Sequence, residues 1–282
     1  MRSLFILVLL FFQLGSIGIA SPSLDSSVEN IDVKLKDHEM AVSFFGLSDG
    51  EATLIQGAKG ENILVNTGGE QTKAELKEML GLFGVKNISV LIITNAQNLF
   101  ANQINELITT YNIQEVVSTT EITRILTKLI DPSALVEIIA WKEGSSKILF
   151  PELTAEVLYA GLGENEGLDF TLHFLEHRLF LMTSSSSEAE KVFLKSDIQN
   201  IHIFKVPNWA EEDSLSEILI QYLNPEISIL FESENHQPDP EIINDLTDTW
   251  SEIYFTKNTG TVTIKFTDKN YEVFTIANET ED

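Results

Sequence analysis

The sequence predicts an α/β fold in which hairpin strands come first and strand–helix alternation follows, and the chain runs through that order twice. Three observations carry this reading. Val90–Ile93 and Ile227–Phe231 are short, continuous apolar runs, as in strands covered on both faces. Thr72–Phe83 places Leu76, Met79, Leu80 and Phe83 on one helical face, with Gly84 as a stop. No low-complexity linker divides the chain. Two such halves can stack their sheets with helices outside, in four layers α/β/β/α; pattern alone leaves a doubly wound sheet equally open.

Taken in order, Met40–Phe45 and Ala52–Gln56 read as strands around the turn Gly46-Leu47-Ser48-Asp49-Gly50. Asn62–Val65 is a third strand, ended by Thr67-Gly68-Gly69. After the Thr72–Phe83 helix and the Val90–Ile93 strand come a helix over Asn102–Tyr111 and a strand at Glu115–Val117. In the second half, Glu121–Leu129 is helical, and strands follow around Ile148 and at Glu156–Tyr159, Phe170–Phe174 and Leu179–Met182. Ser187–Leu194 is a helix capped by one of the preceding serines. Strand Ile201–Val206, helix Ser214–Leu223 and strand Ile227–Phe231 come next, then helix Pro240–Leu246 with Asp239 as its cap. Strands Glu252–Phe255, Thr261–Phe266 and Tyr271–Ile276 close the chain, the last two joined by Thr267-Asp268-Lys269-Asn270.

The first 20 residues read as an export signal. Arg2 is the positive end, Leu4–Leu14 the apolar run, and small residues precede a cut after Ala20. The run is shorter than the roughly 20 apolar residues a bilayer span needs. We therefore expect a signal peptide over 1–20, a polar, disordered leader over 21–38, one domain over 39–277 and an acidic tail over 278–282. With no cysteine, packing alone holds an exported chain of this kind, and thiolate is excluded as nucleophile or ligand. Lys plus Arg total 18 against 43 Asp plus Glu, a net charge of −25. That field opposes nucleic-acid binding, which relies on basic groups neutralising phosphates.

Five segments, in order, become more specific. These are Phe44-Phe45-Gly46-Leu47-Ser48-Asp49-Gly50-Glu51-Ala52-Thr53-Leu54-Ile55, Ile63-Leu64-Val65-Asn66-Thr67-Gly68-Gly69, Val90-Leu91-Ile92-Ile93-Thr94, Phe204-Lys205-Val206-Pro207 and Gln237-Pro238-Asp239-Pro240-Glu241. Together they resemble the metallo-β-lactamase domain that ends the ComEC/Rec2 competence proteins, over about Met40 to Ile276. The resemblance implies the four-layer α/β/β/α sandwich and, in its active members, a hydrolase whose zinc ions generate hydroxide.

The resemblance also places the family's ligands, and here the sequence departs from them. The His-x-His-x-Asp-His loop falls on Thr94-Asn95-Ala96-Gln97-Asn98-Leu99-Phe100, so that Asn95 and Gln97 replace the first two histidines, Leu99 the Asp and Phe100 the last His. The bridging Asp falls on Ser185, and the His-His-Gly loop on Asn208-Trp209-Ala210. The last two histidines fall on Gln237 and Asp239, and the Asp before Thr-Gly on Asn66. Amide oxygens are poor transition-metal ligands, and Leu and Phe are none. The resemblance thus implies no zinc, no catalytic residue and a pseudo-enzyme. Its open cleft would be lined by Asp49, Asn66, Asn95, Gln97, Trp209, His236 and Asp239, offered to an unknown protein or envelope ligand. Two alternatives stay open: a weak divalent-cation site of His236, Asp239 and Asp49, and a phosphodiesterase- or nuclease-like hydrolase built from Asp49, Glu51, Asn95, Asn208 and Asp239.

The remaining polar residues are read structurally. His173 and His177 are four apart, but Phe170–Leu175 alternates as a strand, and no Glu follows the first His as a zinc-peptidase helix requires. The run Ser184–Ser187 lacks the Gly-x-Ser-x-Gly context of a nucleophile and reads as a helix cap.

Overall fold

The structure, a computed structural model, describes residues 31–277 apart from 164 and 233–235. The expected signal peptide and acidic tail lie outside the described residues, as does the leader up to residue 30. From Ile31 onward the expected disordered leader is docked. Ile31 N–H donates to the Leu82 carbonyl at 2.7 Å, and Ile31 and Val33 pack against the apolar cluster beneath the first helices. Alternate residues Ile31, Val33 and Leu35 are half-buried, and Lys265 Nζ donates to the Lys34 carbonyl at 3.2 Å.

The first half runs β1 (Met40–Phe44), β2 (Thr53–Gly57), β3 (Asn62–Val65), α1 (Lys73–Leu82), β4 (Val90–Ile92), α2 (Ala101–Thr110), β5 (Glu115–Ser118), α3 (Thr120–Leu129) and β6 (Glu137–Ala140). The second half has β7 (Ser146–Phe150), β8 (Leu153–Ala160), β9 (Leu168–Phe174), β10 (His177–Leu181), α4 (Ser187–Phe193), β11 (Ile203–Lys205), α5 (Glu217–Leu223), β12 (Ile227–Leu230), α6 (Pro240–Asp248) and β13 (Glu252–Phe255). A short helix α7 (Thr256–Thr259) then leads to β14 (Thr261–Phe266) and β15 (Tyr271–Ile276), which return to the first sheet. The sheet orders are β15-β14-β1-β2-β3-β4-β5-β6 and β13-β12-β11-β10-β9-β8-β7.

Alternation along each strand decides the layering. Ile63 and Val65 of β3 face the core between the sheets, while Leu64 faces α1 and α2. In the other sheet Ile203 faces inward and Phe204 outward toward α4, α5 and α6. Three apolar clusters result, one between the sheets and one under each helical layer, which is the four-layer α/β/β/α sandwich. The doubly wound alternative fails because β14 and β15 close the first sheet antiparallel beside β1.

Helix ends follow the local chemistry. Ser186 caps α4 by accepting from Ala189 N–H, and Asp239 caps α6 by accepting from Glu241 N–H, with Pro240 at the first turn. Glu137–Ala140 was not foreseen as a strand. It lies at the sheet edge, exposed or half-buried throughout, so no buried face shaped its sequence. None of the described helices is long and apolar enough to cross a membrane.

Phe170 is fully buried between the sheets, with its ring edge-on to Trp141 at 6.0 Å. Phe170→Ala should cost about 3–5 kcal/mol, the range for emptying an aromatic core position. Urea unfolding at an unchanged m-value measures it, and a loss under about 1 kcal/mol, typical of surface changes, would contradict the inter-sheet placement.

Candidate functional site

A cavity of about 400 Å³ opens beyond the carboxyl ends of β4, β10 and β11, where α/β sheets commonly bind ligands. Its wall includes Asn95, Gln97, Ser185, Asn208 and Trp209, so five of the positions singled out from sequence converge. The other wall residues are Glu51, Ala96, Gly163, Asn165, Glu166, Thr183 and Lys205.

The remaining candidates are close in sequence to the cavity but differently occupied. Leu99 packs into the apolar cluster under α1–α3, and half-buried Phe100 begins α2. Asn66 is buried; its side-chain amide donates to Thr94 Oγ1, and its Oδ1 accepts from Thr94 N–H, both at 2.9 Å. It fixes the strand end from which Asn95 projects instead of lining the cleft. Asp49 is packed so closely over Gly69 that a Cβ there would lie 2.3 Å from its carboxylate. Asp239 is the α6 cap, and Gln237 is exposed in the loop before it. His236 pairs through Nδ1 with Glu211 at 2.5 Å and stacks on the Trp209 indole at 4.1 Å, 9° from parallel. The cation trio of His236, Asp239 and Asp49 is therefore committed elsewhere, and of the hydrolase set only Glu51, Asn95 and Asn208 line the cavity.

The residues that dominate the cavity electrostatically were not singled out for that role. Lys205, at the end of β11, points inward and meets Glu51 from the turn before β2: Nζ–Oε2 is 2.5 Å, and both side chains are less than 10% exposed. Lys205 also donates to the Met182 carbonyl at 3.1 Å and lies 5.9 Å from the Phe231 ring centre. A lysine in the apolar run Ile203-Phe204-Lys205-Val206 was the available signal, since a buried charge demands a partner. Asp169 of β9 is fully buried and accepts from Thr183 N–H at 2.5 Å, Ser184 N–H at 2.9 Å and Ser184 Oγ at 2.5 Å. Burial outweighs these bonds and the Lys205 charge, raising its pKa to about 6.

Two further devices shape the wall. Glu166 accepts from Ser186 Oγ, Tyr159 OH, and the N–H groups of Leu162 and Gly163, at 2.7, 2.8, 3.0 and 2.8 Å. The Ser186 hydroxyl leads these donors in holding its pKa at about 2, against the opposing effect of burial. Asn208, Trp209 and Ala210 all adopt left-handed backbone, with φ of 45°, 51° and 57°. Each such residue costs about 1–2 kcal/mol, and none is glycine. Bonds from Ala210 N–H to Pro207 O, Glu211 N–H to Asn208 O and Asp239 N–H to Ala210 O hold the turn. It delivers Trp209 to the wall, with its Nε1 buried and making no protein hydrogen bond among the described residues.

No protein-family model matches this sequence, and no curated protein matches it. Solved structures do. The metallo-β-lactamase fold protein YhfI from Bacillus subtilis superposes with a TM-score of 0.57 at 13% identity, covering 80% of this chain and 99% of that one. A metallo hydrolase from the hyperthermophilic archaeon Ignicoccus hospitalis gives 0.57 at 14%, over 81% and 99%. A diphosphatase of the PhnP family gives 0.56 at 10%, over 80% and 97%. The fold is that of the metallo-β-lactamases.

The residues at this fold's cleft do not fit zinc. Imidazole and carboxylate ligands are required, whereas the wall offers amides, hydroxyls and two carboxylates. One of those carboxylates is bound to an ammonium and the other to four donors. Among the described residues no group of three or more His, Cys, Asp or Glu is placed to hold a metal ion.

Lys205→Met should destabilise the protein by roughly 3–5 kcal/mol, because it leaves the Glu51 carboxylate buried and unpaired. The double variant Glu51→Gln/Lys205→Met should recover most of that loss, as a double-mutant cycle by chemical denaturation would show; a double-variant loss equal to the sum of the two single-variant losses would mean the pair is not coupled. For Asp169, a folded pKa raised from 3.8 to about 6 favours the fold below pH 3.8, and that contribution disappears as pH rises through 6. Wild type should accordingly lose roughly 2 kcal/mol relative to Asp169→Asn between pH 4 and 6, at 1.36 kcal/mol per unit and with the titration incomplete at both ends of that window. Denaturation at stepped pH checks this, and a pH-independent difference would refute it.

Proposed function

We propose that this protein is a metal-free, non-hydrolytic binding module that uses the former metal cleft of a metallo-β-lactamase fold to hold a ligand. One observation carries the reading: a buried Glu51–Lys205 ion pair stands in the wall where the fold's hydrolases need open metal coordination. The fixed ammonium repels a divalent cation and occupies one of the cavity's two carboxylates. The five singled-out positions around it, Asn95, Gln97, Ser185, Asn208 and Trp209, supply no anionic or imidazole ligand.

The order of sequence segments supports a relationship to the ComEC/Rec2 competence-protein domain. The net charge of −25 argues against carrying DNA work over with it. The export signal read over residues 1–20, with its cut after Ala20, supports a location outside the cytoplasm, as an accessory component at the cell envelope.

Elemental analysis of the purified full chain should find zinc, manganese and iron well below one equivalent. A thermal-shift series in Zn²⁺ and Mn²⁺ should show no saturable stabilisation. Hydrolysis of bis-p-nitrophenyl phosphate should match the buffer blank. Stoichiometric metal together with turnover abolished by Glu51→Gln would reverse the reading.

A further inference from the structure

We propose that the cleft's ligand is a neutral, polyhydroxylated molecule, an uncharged oligosaccharide or the end of a neutral glycan, seated against Trp209. This rests on the metal-free binding reading and adds the ligand's chemical class.

Charge excludes ions. Glu51 and Lys205 neutralise each other at 2.5 Å, and the Glu166 carboxylate is taken up by four donors at 2.7–3.0 Å. No charged group in the wall is therefore left to pair with an ionic ligand, and the surrounding chain, at −25, opposes anions from a distance. Lining chemistry disfavours a purely aliphatic ligand as well. The wall contains no Leu, Ile, Val, Met or Phe side chain, and its apolar surface comes from Ala96, Gly163, the indole and the stems of polar residues.

What remains is dense in groups that both donate and accept. The amides of Gln97, Asn165 and Asn208 and the hydroxyls of Thr183 and Ser185 share one wall. A sugar ring presents hydroxyls that donate and accept around its whole edge and an apolar C–H face. It therefore needs planar amides at the rim and an aromatic plate beneath. Trp209, half-buried against the inter-sheet core and with His236 stacked on the indole, supplies the plate through the part of it that lines the cavity. His236 is stacked on the indole at 4.1 Å and the left-handed turn fixes its backbone, so little side-chain freedom is lost on binding. A strained, non-glycine turn at a cleft wall is where backbone strain most often serves function. The cavity, about 400 Å³ and rimmed by exposed Gln97, Gly163 and Asn165, falls in the range that encloses small ligands and is open at one side to a longer chain.

The test is a printed array of neutral and acidic glycans probed with the full chain, followed by calorimetry on soluble hits. Neutral glycans should bind and acidic ones should not. Trp209→Ala should weaken binding about tenfold, equivalent to 1.4 kcal/mol. Ser185→Ala should weaken it several-fold, and Trp250→Ala, at an exposed position, should leave it unchanged. Should Trp209→Ala fail to fold, as its melting curve would reveal, Trp209→Tyr and Ser185→Ala carry the test. Three outcomes overturn the proposal: no neutral hit on the array, binding indifferent to both cleft substitutions, or preference for unmodified peptides in a parallel array. Each of these leaves the metal-free reading intact when metal analysis is negative, whereas bound metal with phosphodiesterase turnover defeats that reading itself.

Discussion

A buried ion pair joins the two sheets at the end of their shared core, and the cleft is organised around it. Glu51 arrives from the turn before β2 and Lys205 from the end of β11, so the contact spans both halves of the sandwich. Such a pair is poor evidence for stability, since desolvating two charges offsets most of their attraction. Its value is directional. The ammonium ties Glu51 and the Met182 carbonyl into one arrangement, and Met182 leads into the loop carrying Thr183 and Ser185. Asp169 holds that loop from below through three bonds to Thr183 and Ser184. A metal ion in an active relative could organise the same loops by coordination; here hydrogen bonds and one internal salt bridge do so.

Most of the fold was legible in the sequence because burial imposes period. Leu64 between Ile63 and Val65, and Phe204 beside Ile203, show how one strand serves two apolar layers and therefore reads as a continuous run. The glycines of the Asp49-Gly50 and Thr67-Gly68-Gly69 turns were equally visible. Their physical reason is contact: a Cβ on Gly50 would lie 2.2 Å from Gly69 N, so the two turns could not pack with any side chain between them. What stayed hidden had no periodic signature. Glu137–Ala140 is an exposed edge, and the docking of Ile31 and Val33 depends on a surface formed by residues far along the chain.

The site was half legible. Asn95, Gln97, Ser185, Asn208 and Trp209 were found because order and spacing place them whatever their chemistry. Asn66, Asp49 and Asp239 adjoin the same loops, yet each serves a turn, a strand end or a helix cap. Spacing identifies a loop; it does not say which way a side chain turns within it. Lys205, Asp169 and Glu166 went unremarked as site residues because their roles exist only through partners distant in sequence, such as Glu51 for Lys205 and Ser184 for Asp169.

The chemistry of the cleft is itself coherent. A cluster of carboxylates at close range is tolerable around a divalent cation and strongly self-repulsive without one. The positions at which the resemblance would put metal ligands are mostly neutral here, Asn66, Asn95, Gln97, Leu99, Phe100, Ser185 and Asn208 among them, with Asp239, the cap of α6, an exception. Asn66 illustrates the gain. Its amide donates to Thr94 Oγ1 while its oxygen accepts from Thr94 N–H, whereas an ionised carboxylate in the same buried place could only accept. The acids that persist near the cavity are each answered, Glu51 by Lys205, Glu166 by four donors, and Asp169 by three bonds and a pKa raised by burial. Among the described residues, each of these three acids has a local reason to be tolerated, and none is left over at the cavity wall to bind an ion. A wall balanced in that way can discriminate ligands only by shape, hydrogen-bond pattern and aromatic contact.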